Sequence, residues 1–412
     1  MISETHDSVE ALHEMIRRRL VPAFADFRQC RTSEELHRHP LYLELAEEIR
    51  AALETPQMGD FRRAEATAKE RYRFVAWNIE RGTQLAGQLE ALRRDPFLKD
   101  ADVLLLVETD AGMARSGNVD VARKMAQELG MFYAFAPCYL SLVKGSGVER
   151  DTPGENDLGL HGNAILSRYP LRDVRAIALE NGIDKIASRE KRLGRQTTLA
   201  GVVDFPGQPM ATASVHLCAQ SSQQHRMEQM RAILDTMPED MPVVLGGDWN
   251  TSTYNSSRAF HAICGFWLRV IMGVDYVIRN HYLYPDRLFE KPLFRMLEER
   301  GYNYRDANLA GKHTVLYDMR DPRAAGSLAE WVPGWCFPFI HWSLRNHDGR
   351  CPLKLDWFAV RGVKPENAVV LHEKRDGSRV VMSDHDAVGI DVRWGFSQRR
   401  EVAKDAKKTG ME

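Results

Sequence analysis

Few of the signals that assign a chain quickly are present in this sequence. Its six cysteines, Cys30, Cys138, Cys218, Cys264, Cys336 and Cys351, show no C-x-x-C spacing. Neither a zinc site nor a disulfide framework is therefore expected. No run approaches the roughly 18 uncharged apolar residues that a membrane-spanning helix needs. Neither sign of charge dominates, because 56 basic residues stand against 57 acidic ones, a net of −1. A protein dedicated to non-specific duplex binding is usually clearly basic, although a local basic stripe is enough to hold a nucleic acid. The stretch from Met1 to Asp7 is polar and acidic and lacks the apolar core of a signal peptide. Internal repeats and low-complexity tracts are also absent. These absences point to a soluble, reduced, cytoplasmic protein.

What is present is an ordinary globular composition, 44% hydrophobic over 412 residues. That suffices for one large domain with extensions, or for two domains. Val9, Leu12, Ile16 and Leu20 recur at helical spacing, as do Leu41, Leu43, Ala46 and Ile49. Ser33 and Glu35 mark a helix start, and Pro56 and Gly59 end the second helix. Residues 1–70 are expected to form a helical extension docked on a main domain over 71–395. There the pattern changes to short apolar runs at 74–77, 103–107, 164–166, 199–203, 211–215, 243–245, 355–360 and 387–392, which read as strands. Residues 121–129 and 224–237 read as helices. Alternation of this kind predicts two packed sheets with helices outside, an α/β fold.

The interval 251–350 reads as a long insertion. Its stretch 260–277 is apolar but broken by Arg269 and Asp275. Trp331, Trp335, Phe337, Phe339 and Trp342 then cluster around Pro333, Gly334 and Pro338. Such a cluster can stack on bases or dock on a lipid interface, and packing inside the insertion is the blander expectation. The tail over 396–412 is charged and is expected to fray.

Polar groups stand at the ends of several apolar runs. Asn78 and Glu80 are two apart and share a strand face. Glu108 ends Val103–Leu104–Leu105–Leu106–Val107, and a carboxylate so placed needs a partner, most simply a cation. His161-Gly162-Asn163 opens another strand. His161 reads as a loop residue, Gly162 permits a close backbone approach, and Asn163 is placed to donate to a phosphoryl oxygen. His216 follows Ser214-Val215, and a histidine there can protonate a departing oxygen near neutral pH. Asp248 and Asn250 share a face across Trp249. Asp356 lies in an apolar run and needs a partner, for which His385 in Ser383-Asp384-His385-Asp386 is the candidate. Arg189, Lys191, Arg192 and Arg195 form a basic cluster, either a solvated loop or a contact for a polyanion.

Taken in order, these motifs resemble the endonuclease/exonuclease/phosphatase superfamily over roughly residues 70–395. The resemblance implies a four-layered α/β sandwich and a metal-dependent phosphoesterase. It implies that Glu108, with Asp384 and Asn78, holds Mg²⁺, with Mn²⁺ as an alternative. It also implies that His216 is the leaving-group acid, although Val215 stands where the family usually has threonine. On this reading Asp248 or His385 activates water and Asn250 and Asn163 position the phosphate, while Arg192 of the basic cluster is a further candidate substrate contact. The expected substrate is a nucleic acid, with a lipid or small-molecule phosphoester as the alternative. Peripheral membrane contact stays open. A non-catalytic interaction protein on the same fold would have lost these ligands, and here they are all present.

Overall fold

The structure is a computed structural model and describes residues 2–251, 255, 257–320, 334–372 and 382–394. Trp331, Pro333 and the charged tail over 396–412 lie outside the described residues. In chain order the strands are β1 (Gln57–Asp60), β2 (Tyr72–Arg81), β3 (Val103–Ala111), β4 (Phe132–Ser141), β5 (Leu160–Ser167), β6 (Leu171–Ala178), β7 (Arg192–Gly194) and β8 (Thr197–Phe205). They continue with β9 (Gln208–His216), β10 (Val243–Asp248), β11 (Val315–Asp318), β12 (Arg350–Leu353), β13 (Asp356–Arg361), β14 (Val363–Leu371) and β15 (Ala387–Trp394).

Two large sheets form. One runs β1-β4-β5-β3-β2-β15-β14, with β7 added on β4, and the other runs β13-β10-β9-β8-β6. Central strands such as β2 and β3 read as unbroken apolar runs because both of their faces are covered. Phe74 and Ala76 of β2 join Leu199, Val244 and Phe358 in the core between the sheets. Val75, Trp77 and Ile79 turn the other way, onto the outer helices. Leu85–Arg94 and Val121–Leu129 lie in that outer layer. Outside the second sheet, Gln223–Thr236 and Lys291–Glu299 supply Met230, Ile233, Leu293 and Phe294. The order helix, sheet, sheet, helix is the four-layered α/β sandwich. Local signals fix the helix ends: the Asp120 side chain caps Val121–Leu129 by accepting from the Arg123 N–H, and Gly130 closes it at φ 66°.

Helices within residues 2–54 extend the outer layer of the first sheet, where Ile16, Leu20, Phe24 and Phe27 join Val75 and Trp77 in one cluster. Arg17 forks onto Asp157 at 2.9 and 3.0 Å. The segment before residue 70 is not helical throughout. Past Pro56 the chain turns extended, and β1 pairs antiparallel with β4. A free sheet edge offers unpaired backbone groups, and β1 covers one.

Residues 251–350 split in character. Lys291–Glu299 is packed in the core. The helices Ala259–Met272 and Phe337–Ser343 instead leave Phe260, Leu268, Ile271, Phe339 and Trp342 exposed, with Tyr276 and Trp335 beside them. They touch through Trp267, whose ring lies 6.2 Å from that of Trp335 and 5.3 Å from that of Phe339. Simple interior packing of these aromatics, the blander expectation, is not what the fold shows. The ribbon β11–β12 links this region to the main domain through a bridge between Val315 and His385.

Candidate active site

At one end of the inter-sheet core, apolar side chains give way to polar ones, and strand register decides which. His216 pairs with Asp248 in the parallel ladder β9–β10, and Asp248 pairs with Asp356 in the antiparallel ladder β10–β13. Side chains alternate along a strand. Trp249 and Trp357 therefore face the outer layer, with rings 6.3 Å apart, while Asp248 and Asp356 face the core side. Gly247 has φ 141°, and a Cβ there would stand 2.1 Å from the Val215 carbonyl oxygen. Only glycine lets β10 approach β9 so closely while ending in a carboxylate.

The facing sheet contributes Asn78 and Glu108. The β3 register slips against β5 between Leu106 and Thr109, and Glu108 has φ 55°. A bulge with left-handed backbone at a non-glycine residue costs energy, and it turns the carboxylate out of the ladder. The Asn78 amide then joins the two sheets. It donates to Glu108 Oε1 at 3.1 Å and to Asp248 Oδ2 at 3.3 Å. Its own Oδ1 accepts the Glu80 N–H at 3.1 Å, which fixes that orientation. Asn78 thus shows the cleft an N–H donor, not the lone pair expected of a metal ligand. It holds two carboxylates together.

His385 Nδ1 lies 2.8 Å from Asp356 Oδ2, so Nε2 faces the cleft, 3.7 Å from Asp248 Oδ2. His216 Nε2 lies 3.7 Å from the same Asp248 oxygen and 3.9 Å from Glu108 Oε1. Asp384 is exposed at the rim, and its carboxylate interacts electrostatically with His385, Glu108 and Arg81. The insertion adds Tyr317 of β11. Burial, and then the charges of Asp384, Asp248 and Glu108, push its phenol up, so it stays protonated.

Charge is distributed unevenly among these groups. Burial pushes the Glu108 carboxyl up, but Arg81, His216, His161 and His385 outweigh it and hold the group well below the ordinary carboxylate range. Asp248 lacks such cover. Burial, with Asp356 and Glu108 adding to it against His385, pushes its carboxyl up to about 7. Burial pulls His216 down to about 4 despite Glu108. His385 also suffers burial, but Asp356, Asp248 and Asp384 overcome it and keep its proton on well above the usual range.

A model of the Endonuclease/Exonuclease/phosphatase family matches residues 75–385. The chain belongs to that family. No curated protein matches it. Among solved structures, an endonuclease/exonuclease/phosphatase from Beutenbergia cavernae is 18% identical, with 79% of this chain and 72% of that one covered and a TM-score of 0.46. Human Nocturnin's catalytic domain with bound sulfate is 15% identical over 82% of this chain and 98% of that one, at a TM-score of 0.42. D. rerio TDP2 with a single-strand DNA product is 14% identical over 79% and 100%, at a TM-score of 0.41. Members of the Endonuclease/Exonuclease/phosphatase family are phosphoester hydrolases that depend on divalent metals.

Against that family pattern, three expected phosphate contacts sit differently. Asn163 is fully buried and its amide donates to the Thr197 carbonyl at 2.6 Å, so the expected donor is spent inside the sandwich. Arg192 is paired with Glu190 and lies over the Tyr139 ring, so the basic cluster is partly neutralised from within. Asn250 donates to the Leu217 carbonyl at 2.9 Å, while its backbone N–H donates to Asp248 Oδ1 at 2.9 Å, which orients that carboxylate.

Sequence reading also missed the layer behind Glu108. His161 is a buried strand residue of β5, not a loop residue, and its Nδ1 lies 2.8 Å from Asp110 Oδ1. Arg115 forks onto Asp110 at 2.8 and 3.0 Å and reaches Glu190 at 2.8 Å. Arg81 bridges Glu149 at 3.2 Å and approaches Glu108 at 4.0 Å. His161 and Asn163 flank Gly162, where a Cβ would meet the Ala136 carbonyl oxygen at 2.1 Å, so only glycine lets β5 lie this close to β4.

The cleft suits a hard divalent cation. Glu108, Asp248 and Asp384 offer oxygen donors, the set such cations prefer. The proton affinity of Asp248 comes first from burial and then from the nearby charges of Asp356 and Glu108, and a cation beside it would favour the ionised form.

Proposed function

We propose that this chain is a Mg²⁺- or Mn²⁺-dependent phosphodiesterase in which water attacks phosphorus in line. The observation that carries the reading is the meeting of Asn78, Glu108, His216, Asp248 and His385 at one mouth, joined by contacts of 3.1 to 3.9 Å across two sheets. Glu108 and Asp384 would hold the cation. Once bound, it would withdraw charge from the phosphoryl group and stabilise the leaving oxygen.

The chain's own residues do the rest. Asp248 is fixed by the Asn250 N–H and the Asn78 amide, and its proton affinity near 7 suits a base that takes a proton from water at neutral pH. His385, kept charged by Asp356, presents Nε2 to an anionic phosphoryl oxygen. His216 is neutral in the free cleft. An entering phosphoester adds negative charge beside it and raises its proton affinity, the state in which it can protonate the leaving oxygen.

A nucleic acid is the first substrate to test, on the strength of the family. A specific observation favours a second reading, a phosphodiester in a lipid surface. The exposed apolar side chains of Ala259–Met272 and Phe337–Ser343 meet through Trp267, and the Arg345 guanidinium lies 4.5 Å over the Trp342 ring. Among the described residues no single helix is long and apolar enough to cross a membrane. Ala259–Met272 spans roughly 21 Å at 1.5 Å per residue, and the next helix bends away by 106°. Such a pair can lie in the plane of an interface.

The test is a hydrolysis panel with Mg²⁺ and Mn²⁺. It comprises single- and double-stranded DNA, RNA, sphingomyelin vesicles, inositol phosphates and bis-p-nitrophenyl phosphate. Turnover of at least one diester, lost on chelation and lost in Glu108→Gln, is expected. Turnover that survives both treatments would falsify the reading.

A further inference from the structure

Outside the catalytic mouth, one more group of metal-type donors stands together. His313, His372 and Asp386 bring two ring nitrogens and a carboxylate oxygen within 4.8 Å of one another. Paired backbone delivers all three. The Asp386 N–H donates to the Thr314 carbonyl at 2.7 Å, and Val315 bridges His385, so His313 lies beside Asp386. On the other side Leu371 pairs with Ala387, which sets His372 next to Asp386 as well. The two imidazoles face each other with centroids 4.4 Å apart, and His372 Nδ1 lies 2.8 Å from Asp386 Oδ2. Asp386 is buried, His313 is half-buried and His372 is exposed.

We propose that His313, His372 and Asp386 form a second divalent-cation site, suited to a borderline cation of the Zn²⁺ class with water completing the shell. The cysteine spacing argued against zinc, but these donors are histidines. Two imidazoles and a carboxylate are a donor set that suits Zn²⁺ better than Mg²⁺. The mouth around Glu108 is rich in carboxylates and suits the harder ion, so the two sites sort cations by chemistry. Two ligands at about 2.0–2.1 Å from a tetrahedral zinc stand about 3.3 Å apart, so the 2.8 Å contact between His372 and Asp386 has to open by about 0.5 Å. The anchoring backbone is fixed by sheet pairing, so closure needs only rotation of the two less buried side chains. Asp386 directly follows His385. A cation here pins the end of β14 to the segment that carries Asp384 and His385, a positioning role and not a catalytic one.

The experiment uses the full chain without a histidine tag. It is stripped with chelator, held in excess Mg²⁺, and titrated with Zn²⁺ by calorimetry, with metal content read after desalting. One equivalent of Zn²⁺ is expected in the native chain and in Glu108→Gln. Affinity should fall at least about tenfold in His313→Ala and in His372→Ala, the scale seen when metal-site partners are removed. Circular dichroism confirms folding, and His372→Ala, at an exposed position, is the variant least able to disturb it. Three outcomes overturn the proposal: no bound Zn²⁺ in the native chain, unchanged affinity in both histidine variants, or loss of the equivalent in Glu108→Gln. The last would place zinc at the phosphoesterase mouth. Failure here leaves the phosphodiesterase reading standing, because hydrolysis is measured separately.

Discussion

At the mouth of the sandwich, Asp248, Asp356 and His385 are buried; along Ala259–Met272 and Phe337–Ser343, apolar side chains are exposed. Both arrangements run against ordinary burial preferences, but they are held in different ways. Each acid at the mouth is positioned by strand register and met by a named donor: Asn78 for Glu108, Asn250 for Asp248, His385 for Asp356. The exposed aromatics are fixed mainly by one another. Charge in the interior persists only with partners, whereas an apolar face in water needs none to exist and gains by finding one. On the proposed reading the mouth is the site for chemistry and the exposed helices are the surface to test for contact.

The largest break in this comparison is expected from Glu108→Gln. The amide keeps the shape and the Asn78 contact but removes the charge that the cation needs. Several kcal/mol of transition-state stabilisation would go with it, and each 1.36 kcal/mol is about tenfold in rate. We expect kcat/KM to fall more than about 10³-fold with little change in Tm. Persistent turnover at ordinary Mg²⁺, with unchanged metal affinity, would remove Glu108 from the metal. Next comes Asp356→Asn, which acts through His385. An amide does not stabilise an imidazolium as a carboxylate does, so activity should drop about 10- to 100-fold. The imidazole resonances should titrate at lower pH. An unshifted titration would dismiss the pair.

How much of this was legible before folding differs between the two regions. Apolar runs that end in a polar residue marked β2, β3, β9, β10 and β15, and register then did the rest. Strands carrying turn residues were invisible. In β4, Pro137 sits at a register shift, in β14 the shift spans Asn367 at φ 52°, and in β6 it spans Asp173 at φ 51°. Residues that break a strand in sequence are tolerated at bulges. The network of Arg81, Arg115, Glu149 and Glu190 was illegible for another reason: its members come from four segments with no local motif. In the insertion, composition revealed the aromatics but not their exposure, because hydrophobicity alone does not say which side chains find a core.

A smaller effect is expected at the apolar surface. Full burial of a large apolar side chain is worth about 1.5–3 kcal/mol, and Trp335 and Trp342 are 51% and 57% exposed. The double variant Trp335→Ala/Trp342→Ala should weaken partition onto anionic vesicles roughly 10- to 100-fold. Turnover of bis-p-nitrophenyl phosphate should stay as it is. Unchanged vesicle binding, with loss confined to single-stranded nucleic acid, would favour base stacking instead, at about 1–3 kcal/mol per base.

The smallest effect tests whether partner number decides the state of a buried acid. Glu108 faces Arg81 and, in His385, a histidine that keeps its proton, and it stays charged. Glu290, fully buried where Glu108 is partly so, faces Arg226 through Oε1, at 3.0 Å from Nε, while its Oε2 has no hydrogen-bond partner among the described residues. Burial there outweighs the single cation and lifts the Glu290 carboxyl from 4.5 to about 7. Between those values the folded chain holds a proton that the unfolded chain has released. The resulting stability is fully present below about 4.5 and is lost as pH rises through about 7. At 1.36 kcal/mol per unit, that amounts to at most about 3 kcal/mol. Glu290→Gln keeps an acceptor for Arg226 and does not titrate. The Tm of the native chain relative to this variant should therefore fall by a few degrees between pH 4.5 and 7. A constant difference across that range would mean that one arginine suffices to keep a buried carboxylate ionised, and that the wider network around Glu108 serves position instead of charge.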